Sequence, residues 1–177
     1  MRNKKVVFST EWFFIEEEFF PKLSTLGGKP IYRMVESDAV CVLAVTAEQK
    51  IILVRQFRPV IGEYTLELPA GHIDEKENAI TAAKRELYEE TGYICDKWFC
   101  LASNMLMLAS RSTMQNDLFL ASGAVRDVSF EPKENIEVRL ATLSEFKSLI
   151  MNGECHQNMA AGAMQLAVWH GLIPADF

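Results

Sequence analysis

The stretch Gly71–Tyr93, GHIDEKENAITAAKRELYEETGY, decides how this chain is read. From about Asn78 its apolar residues take a helical period, with Ile80, Ala83 and Leu87 on one side, and Gly92 stops the run as glycine does at a helix C-terminus. On such a helix Glu86 and Glu90 stand four residues apart and point the same way, with Glu89 beside them one turn from Glu86. Like charges at that spacing weaken a helix by roughly 0.2–0.5 kcal/mol per pair, so a compensating partner is expected. Carboxylate oxygens converging on one face suit a hard cation such as Mg²⁺ or Mn²⁺, which prefers oxygen ligands and keeps part of its water shell. Arg85, four residues before Glu89, can hold a carboxylate in place from outside the cluster. Taken alone, Arg85 to Glu89 would read as a solvated acidic face.

Outward from this helix the period falls to two. Strand-like runs occupy Ile31–Val35, Ala39–Thr46, Lys50–Phe57 and Thr65–Leu68, the last stopped by Pro69 and Gly71. Lys5–Phe20 reads as extended chain interrupted by Glu16, Glu17 and Glu18, and residues 21–30, with Pro21, Gly27, Gly28 and Pro30, form the softest seam. Beyond the helix, strands are expected near Lys97–Ala102, Asp117–Ala121 and Ile136–Ala141, followed by helices near Ser144–Met151 and Asn158–His170. Strands that mostly do not alternate with helices, with a few helices packed outside, indicate an α+β or mixed α/β sandwich.

The 177 residues are 49% hydrophobic and 24% charged, enough for a core of ordinary composition. A net charge of −6 works against a general grip on nucleic acid, which needs clustered Lys and Arg. Cys41, Cys95, Cys100 and Cys155 form no Cys-x-x-Cys pair and, with three histidines, suggest no zinc site. The basic start MRNKKVVFSTEWFF precedes no apolar stretch of signal-peptide length, and the longest apolar run, Ala39–Val45, is too short to span a bilayer. These features read as a cytoplasmic protein with no membrane partner.

The full spacing of the 71–93 stretch resembles the signature of the Nudix hydrolases, carried here by Gly71, Glu77, Arg85, Glu86, Leu87, Glu89, Glu90 and Gly92, with Tyr93 standing where the family has an aliphatic residue. Leaving aside the aliphatic Leu87, the seven fixed letters coincide by chance at a given start with odds on the order of 10⁻⁸ to 10⁻⁹. The resemblance implies an α/β/α sandwich, metal ligation by Glu86, Glu89 and Glu90, and a bracing pair formed by Glu77 and Arg85. Upstream, RQFRPVIGEYTLELPAGHID resembles the ADP-ribose pyrophosphatase branch. From the residues alone, Arg55 and Arg58 can clamp phosphates or stand as surface arginines. The branch implies that Arg58 contacts substrate, that Glu67 lies at the site, and that the Ala70 carbonyl helps hold metal. In EPKENIEVRLATLSEF it implies a general base at Glu134, with Glu131 and Glu137 as competitors.

The same branch forms a small N-terminal sheet that exchanges across a dimer, and its aromatics stack on adenine. Trp12 and Tyr32 take similar places here, with a core role as the alternative. Ala109 and Ser110 stand where the branch has a Pro-containing loop, and Arg111 beside them can meet an anionic part of the substrate. The expected organisation is therefore residues 1–36 as a dimer-forming β segment and 37–177 as the Nudix domain, in a homodimer. The expected activity is Mg²⁺- or Mn²⁺-dependent hydrolysis of a small-molecule nucleoside diphosphate sugar, ADP-ribose first, with GDP-mannose or UDP-glucose cleavage and non-catalytic ADP-ribose binding as alternatives. Glu90 is read as part of a surface-accessible cluster, so that Glu90→Gln would spare the fold.

Overall fold

The computed structural model describes residues 4–20, 27–132 and 135–175. The chain gathers into two compact units, Met1–Asp38 with Asn104–Asn116, and Ala39–Ser103 with Asp117–Phe177.

The first unit is built on an antiparallel sheet ordered β1-β2-β3, from β1 (Lys4–Ser9), β2 (Phe13–Glu18) and β3 (Ile31–Glu36). Thr10 closes the first turn, its hydroxyl accepting from the backbone N–H of Trp12 and Phe13 at 3.1 and 3.0 Å. The acidic run that interrupts β2 is answered across the ladder. Arg33, paired with Glu16, reaches Glu16 at 2.5 Å and the fully buried Glu18 at 3.0 Å, while the Tyr32 hydroxyl donates to Glu17 at 2.7 Å. The returning segment docks by its backbone, Met34 N–H donating to the Arg111 carbonyl at 2.7 Å and Thr113 N–H to the Met34 carbonyl at 3.0 Å.

The larger sheet runs β11-β5-β4-β10-β8, with β6 on β5, β7 on β4 and β9 on β10. Its strands are β4 (Ala39–Thr46), β5 (Lys50–Arg58), β6 (Glu63–Glu67), β7 (Ala70–His72), β8 (Tyr93–Ile94), β9 (Lys97–Leu106), β10 (Gln115–Arg126) and β11 (Glu137–Thr142). The helices are α1 (Ala79–Thr91), α2 (Leu143–Met151) and α3 (Asn158–Trp169). Alternation divides the core in two. Cys41, Leu43, Val45, Leu53, Leu118 and Leu120 face α2 and α3, which contribute Phe146, Leu149, Ala160, Ala163 and Ala167. Val40, Val42, Ala44, Ile52 and Phe119 face the other way and take Ala82, Ala83 and Leu87 from α1. Because both faces are covered, β4 is buried along its whole length, which is why it reads as an unbroken apolar run. Among the described residues no helix is long and apolar enough to cross a membrane.

The sequence reading places most of these elements within a few residues, but it misses β7 and β8. After the pair Val45–Ile51, β4 and β5 part, and the chain from Glu63 to His72 crosses from one to the other. Its first half pairs with β5 as far as Glu67↔Val54, and its second half pairs with β4 from Cys41↔Ala70 to Ala39↔His72. Pro69 and Gly71 read locally as a stop, yet extended structure resumes because a distant strand supplies the partners.

Helix α1 starts at Asn78, whose side chain accepts from Thr81 N–H at 2.9 Å, and ends at Gly92 with φ +71° and its N–H on the Tyr88 carbonyl at 2.8 Å. A Cβ on Gly92 would lie 2.4 Å from the Phe130 ring, which packs edge-on to Tyr88 with ring centroids 5.2 Å apart. Gly92→Ala therefore meets both the left-handed backbone cost and a clash, together about 2–3 kcal/mol. A melting-temperature fall of roughly 4–10 °C is expected by calorimetry.

Candidate functional site

The turn of α1 that carries the acidic residues lies against β7, and the closeness depends on Gly71. A Cβ at Gly71 would sit 2.2 Å from the Glu86 carboxylate, so any other residue there would push that carboxylate out of its present place. The Arg85 guanidinium is the hub of the cluster. Its Nη1 donates to Glu86 at 2.6 Å and Glu89 at 3.2 Å, its Nη2 and Nε donate to Glu77 at 2.9 and 3.2 Å, and Nη2 also donates to the His72 carbonyl at 2.8 Å. The hydrogen bonds to Glu77, ahead of those to Glu86 and Glu89, make this guanidinium still harder to deprotonate against the opposing effect of burial. Conversely the Arg85 bonds hold Glu77 below the usual carboxylate range.

Glu90 points differently. It is 9% exposed, with Oε2 accepting from Ala70 N–H at 3.0 Å and Oε1 from Gln56 Nε2 at 3.5 Å. The surface-accessible position expected from sequence is not what the fold provides, because β5 and β7 close over this side of the helix. Glu90 is thus both a candidate ligand and a clamp between α1 and the strand that carries Ala70.

Arg58 and Glu67 form a second group. Arg58 Nε and Nη2 donate to the two Glu67 oxygens at 2.9 and 2.6 Å, a fork that fixes the guanidinium plane. The Thr65 hydroxyl adds a bond to Glu67 at 2.5 Å. Burial pushes the Glu67 carboxyl up, but the bonds from Arg58 and Thr65 outweigh it and leave it below its ordinary value. Sequence reasoning overlooked Thr65 and Gln56, and of the two only Thr65 was legible. Thr65 shares a strand face with Glu67, and Gln56 is its cross-strand partner. Arg55 is not drawn into either group. It lies over the Tyr64 ring at 4.1 Å and pairs with Glu137 at 3.3 Å, beside Arg139 and His156 around a cavity of about 240 Å³.

In the first unit, Tyr32 and Arg111 line one cavity of about 600 Å³ together with Arg33, Met34 and Leu108. Trp12 borders a different one. Neither aromatic is a core residue, since Trp12 is 77% and Tyr32 55% exposed. Glu134, the expected general base, lies outside the described residues. Its competitor Glu137 begins β11 in the pair with Arg55, and Glu131 is exposed.

The acidic groups suit a divalent cation in kind. All side-chain donors are carboxylate oxygens, and the Gly71 hollow receives one of them against β7. Among the described residues, no three acidic, His or Cys side chains close on one point. Glu86 and Glu89 instead share the positive charge of Arg85, the compensation that their spacing demands.

Glu77 supplies a pH test of the hub. With its folded pKa depressed, the pair with Arg85 stabilises the fold above the unfolded Glu value of about 4.3 and loses that effect as pH falls through the lower folded value. Urea midpoints of wild type and Glu77→Gln should differ near pH 7. The gap should narrow below about pH 4.

The NUDIX domain model matches residues 36–159. The ADP-ribose pyrophosphatase of Bacillus subtilis (strain 168) is 33% identical over 129 residues, covering 72% of this chain and 70% of that protein. An ADP-sugar pyrophosphatase of Mus musculus is 47% identical over 76 residues, 41% of this chain, and the match spans about a third of that relative, 32% of its length. In fold the chain is similar to a solved ADP compounds hydrolase, with a TM-score of 0.76 at 18% identity over 98% of this chain and 96% of the other. With its signature helix lying inside a match that covers residues 36–159, the chain belongs to the NUDIX family.

Proposed function

We propose that this protein hydrolyses the diphosphate bond of a nucleoside diphosphate sugar, and that ADP-ribose, cleaved to AMP and ribose 5-phosphate, is its substrate. The observation that carries the reading is the packing of the acidic turn of α1 on Gly71, with Arg85 tying together Glu77, Glu86 and Glu89. Relatives named ADP-ribose pyrophosphatase and ADP-sugar pyrophosphatase support the substrate class. NUDIX hydrolases generally use divalent metal ions, and Mg²⁺ or Mn²⁺ is our choice here.

Glu86, Glu89, Glu90 and the Ala70 carbonyl would hold the ion. When bound, it neutralises diphosphate charge and makes an attacking water more acidic. In the reaction a water oxygen bonds to one phosphorus, the bridging P–O bond breaks, and the departing phosphate oxygen keeps the electron pair. Arg85 and Glu77 keep the acidic side chains in register against their mutual repulsion. Arg58, its plane fixed by Glu67, is assigned to the diphosphate oxygens. Arg55, which lies over the Tyr64 ring and joins neither group, is the second candidate for that task. Glu134 is assigned as the general base that takes the water's proton. Tyr32, Arg111 and Trp12 are assigned to the nucleoside and its anionic flank. We place the protein in the cytoplasm, with no nucleic-acid or membrane partner, and retain residues 1–36 and 37–177 as its domains.

A Mg²⁺-dependent screen of nucleoside diphosphate sugars, dinucleoside polyphosphates and NADH should give the fastest turnover with ADP-ribose. Glu86→Gln should lower kcat by about 100-fold or more. Fast cleavage of GDP-mannose or UDP-glucose with ADP-ribose inert would move the substrate, and tight nucleotide binding without turnover would mark a binding module.

The homodimer is a proposal supported by β1, a strand exposed along its whole length at a sheet edge. Light scattering is expected to return twice the 20.0 kDa chain mass. A monomer would remove the exchanged sheet from the proposal.

A further inference from the structure

The crossing from β6 to β7 leaves Leu68 in neither ladder, since pairing with β5 ends at Glu67 and pairing with β4 begins at Ala70. Leu68 is fully buried, and a backbone N–H and C=O left without partners in such a place would be costly. Both are met by one side chain from the far end of the sequence. Gln157 Oε1 accepts from Leu68 N–H at 3.1 Å, and Gln157 Nε2 donates to the Leu68 carbonyl at 3.4 Å. The amide thus behaves as a single residue of strand inserted at the step. Its orientation follows from those two bonds, and the Cys41 thiol adds a weak donor to Oε1 at 3.6 Å. Gln157 sits at the N-cap of α3 yet makes no capping bond there, its side chain being turned instead to Leu68.

Two residues beyond Leu68 the chain reaches Ala70, whose N–H holds Glu90, and then Gly71, which receives Glu86. We propose that Gln157 is a positioning residue for the metal site: by gripping Leu68 it sets the place of Ala70 and Gly71 against the acidic turn of α1. It touches neither substrate nor metal. It acts through Leu68, Pro69 and Ala70, and Pro69 is itself held by Val42 N–H at 2.9 Å. The inference rests on the proposed metal-dependent function.

The test measures Mn²⁺ affinity directly, by the electron paramagnetic resonance signal of free Mn²⁺ titrated with folded protein, without substrate. Gln157→Met keeps the length and apolar bulk of the side chain and removes both bonds. It should weaken Mn²⁺ binding about tenfold, the scale on which partners that orient ligands act. With ADP-ribose it should lower kcat and leave KM within twofold. Met164→Ala, which loosens the same helix in the core without touching the amide, should bind Mn²⁺ within twofold of wild type. Should the methionine variant fail to fold, Gln157→Glu, which removes the donor to the Leu68 carbonyl, is read by the same measure. Wild-type Mn²⁺ affinity in the folded Gln157 variant, or an equal loss in Met164→Ala, would overturn the positioning role and leave the metal reading standing. A wild-type protein that binds no Mn²⁺ would overturn both.

Discussion

One guanidinium governs the chemistry-bearing part of this molecule. Four acidic residues within fourteen positions, Glu77, Glu86, Glu89 and Glu90, repel one another and weaken their helix and loop unless a positive charge stands among them. Arg85 meets three of them and a backbone carbonyl of β7 with a single planar group, so the loop, helix and strand are joined at one point. A lysine could not do this, because a compact ammonium lacks the rigid array of donors that reaches several partners at once. Gly71 is the steric counterpart of that bond network, since a Cβ there would displace the Glu86 carboxylate from the position in which Arg85 holds it.

The acidic side chains differ in their tasks. Glu89 is the more open, at 38% side-chain exposure, whereas the Glu86 side chain is largely covered, at 14%. Glu90 is turned inward and ties the helix to Ala70 and Gln56. A site of this kind is held from both sides of the sheet. From the α1 side the hold is Arg85 and Glu90, and from the α3 side it is the Gln157 amide on Leu68. The crossing of the chain between β5 and β4 is what allows one short segment to be gripped from both directions.

The first unit follows a separate logic. Its sheet carries three successive glutamates on β2, an arrangement that Arg33 and Tyr32 on the neighbouring strand make tolerable. Trp12 and Tyr32 remain exposed, so their rings are available as surfaces and contribute little to a core.

Much of this was legible in the chain itself. The period of Ile80, Ala83 and Leu87 from about Asn78 and the stop at Gly92 are local properties, and a helix obeys local rules. The bracing pair of Glu77 and Arg85 was legible too, through the family signature, and the apolar run of β4 was legible as a strand. Tertiary structure alone decided which way the residues around that helix turn. Glu90 is buried, Arg55 lies on Tyr64 apart from the acidic cluster, Gly71 continues a strand past a proline, and Gln157 completes a ladder more than eighty residues away. Each depends on a partner distant in sequence. Spacing along one element fixes the relative direction of its side chains, but only packing against other elements determines what they meet.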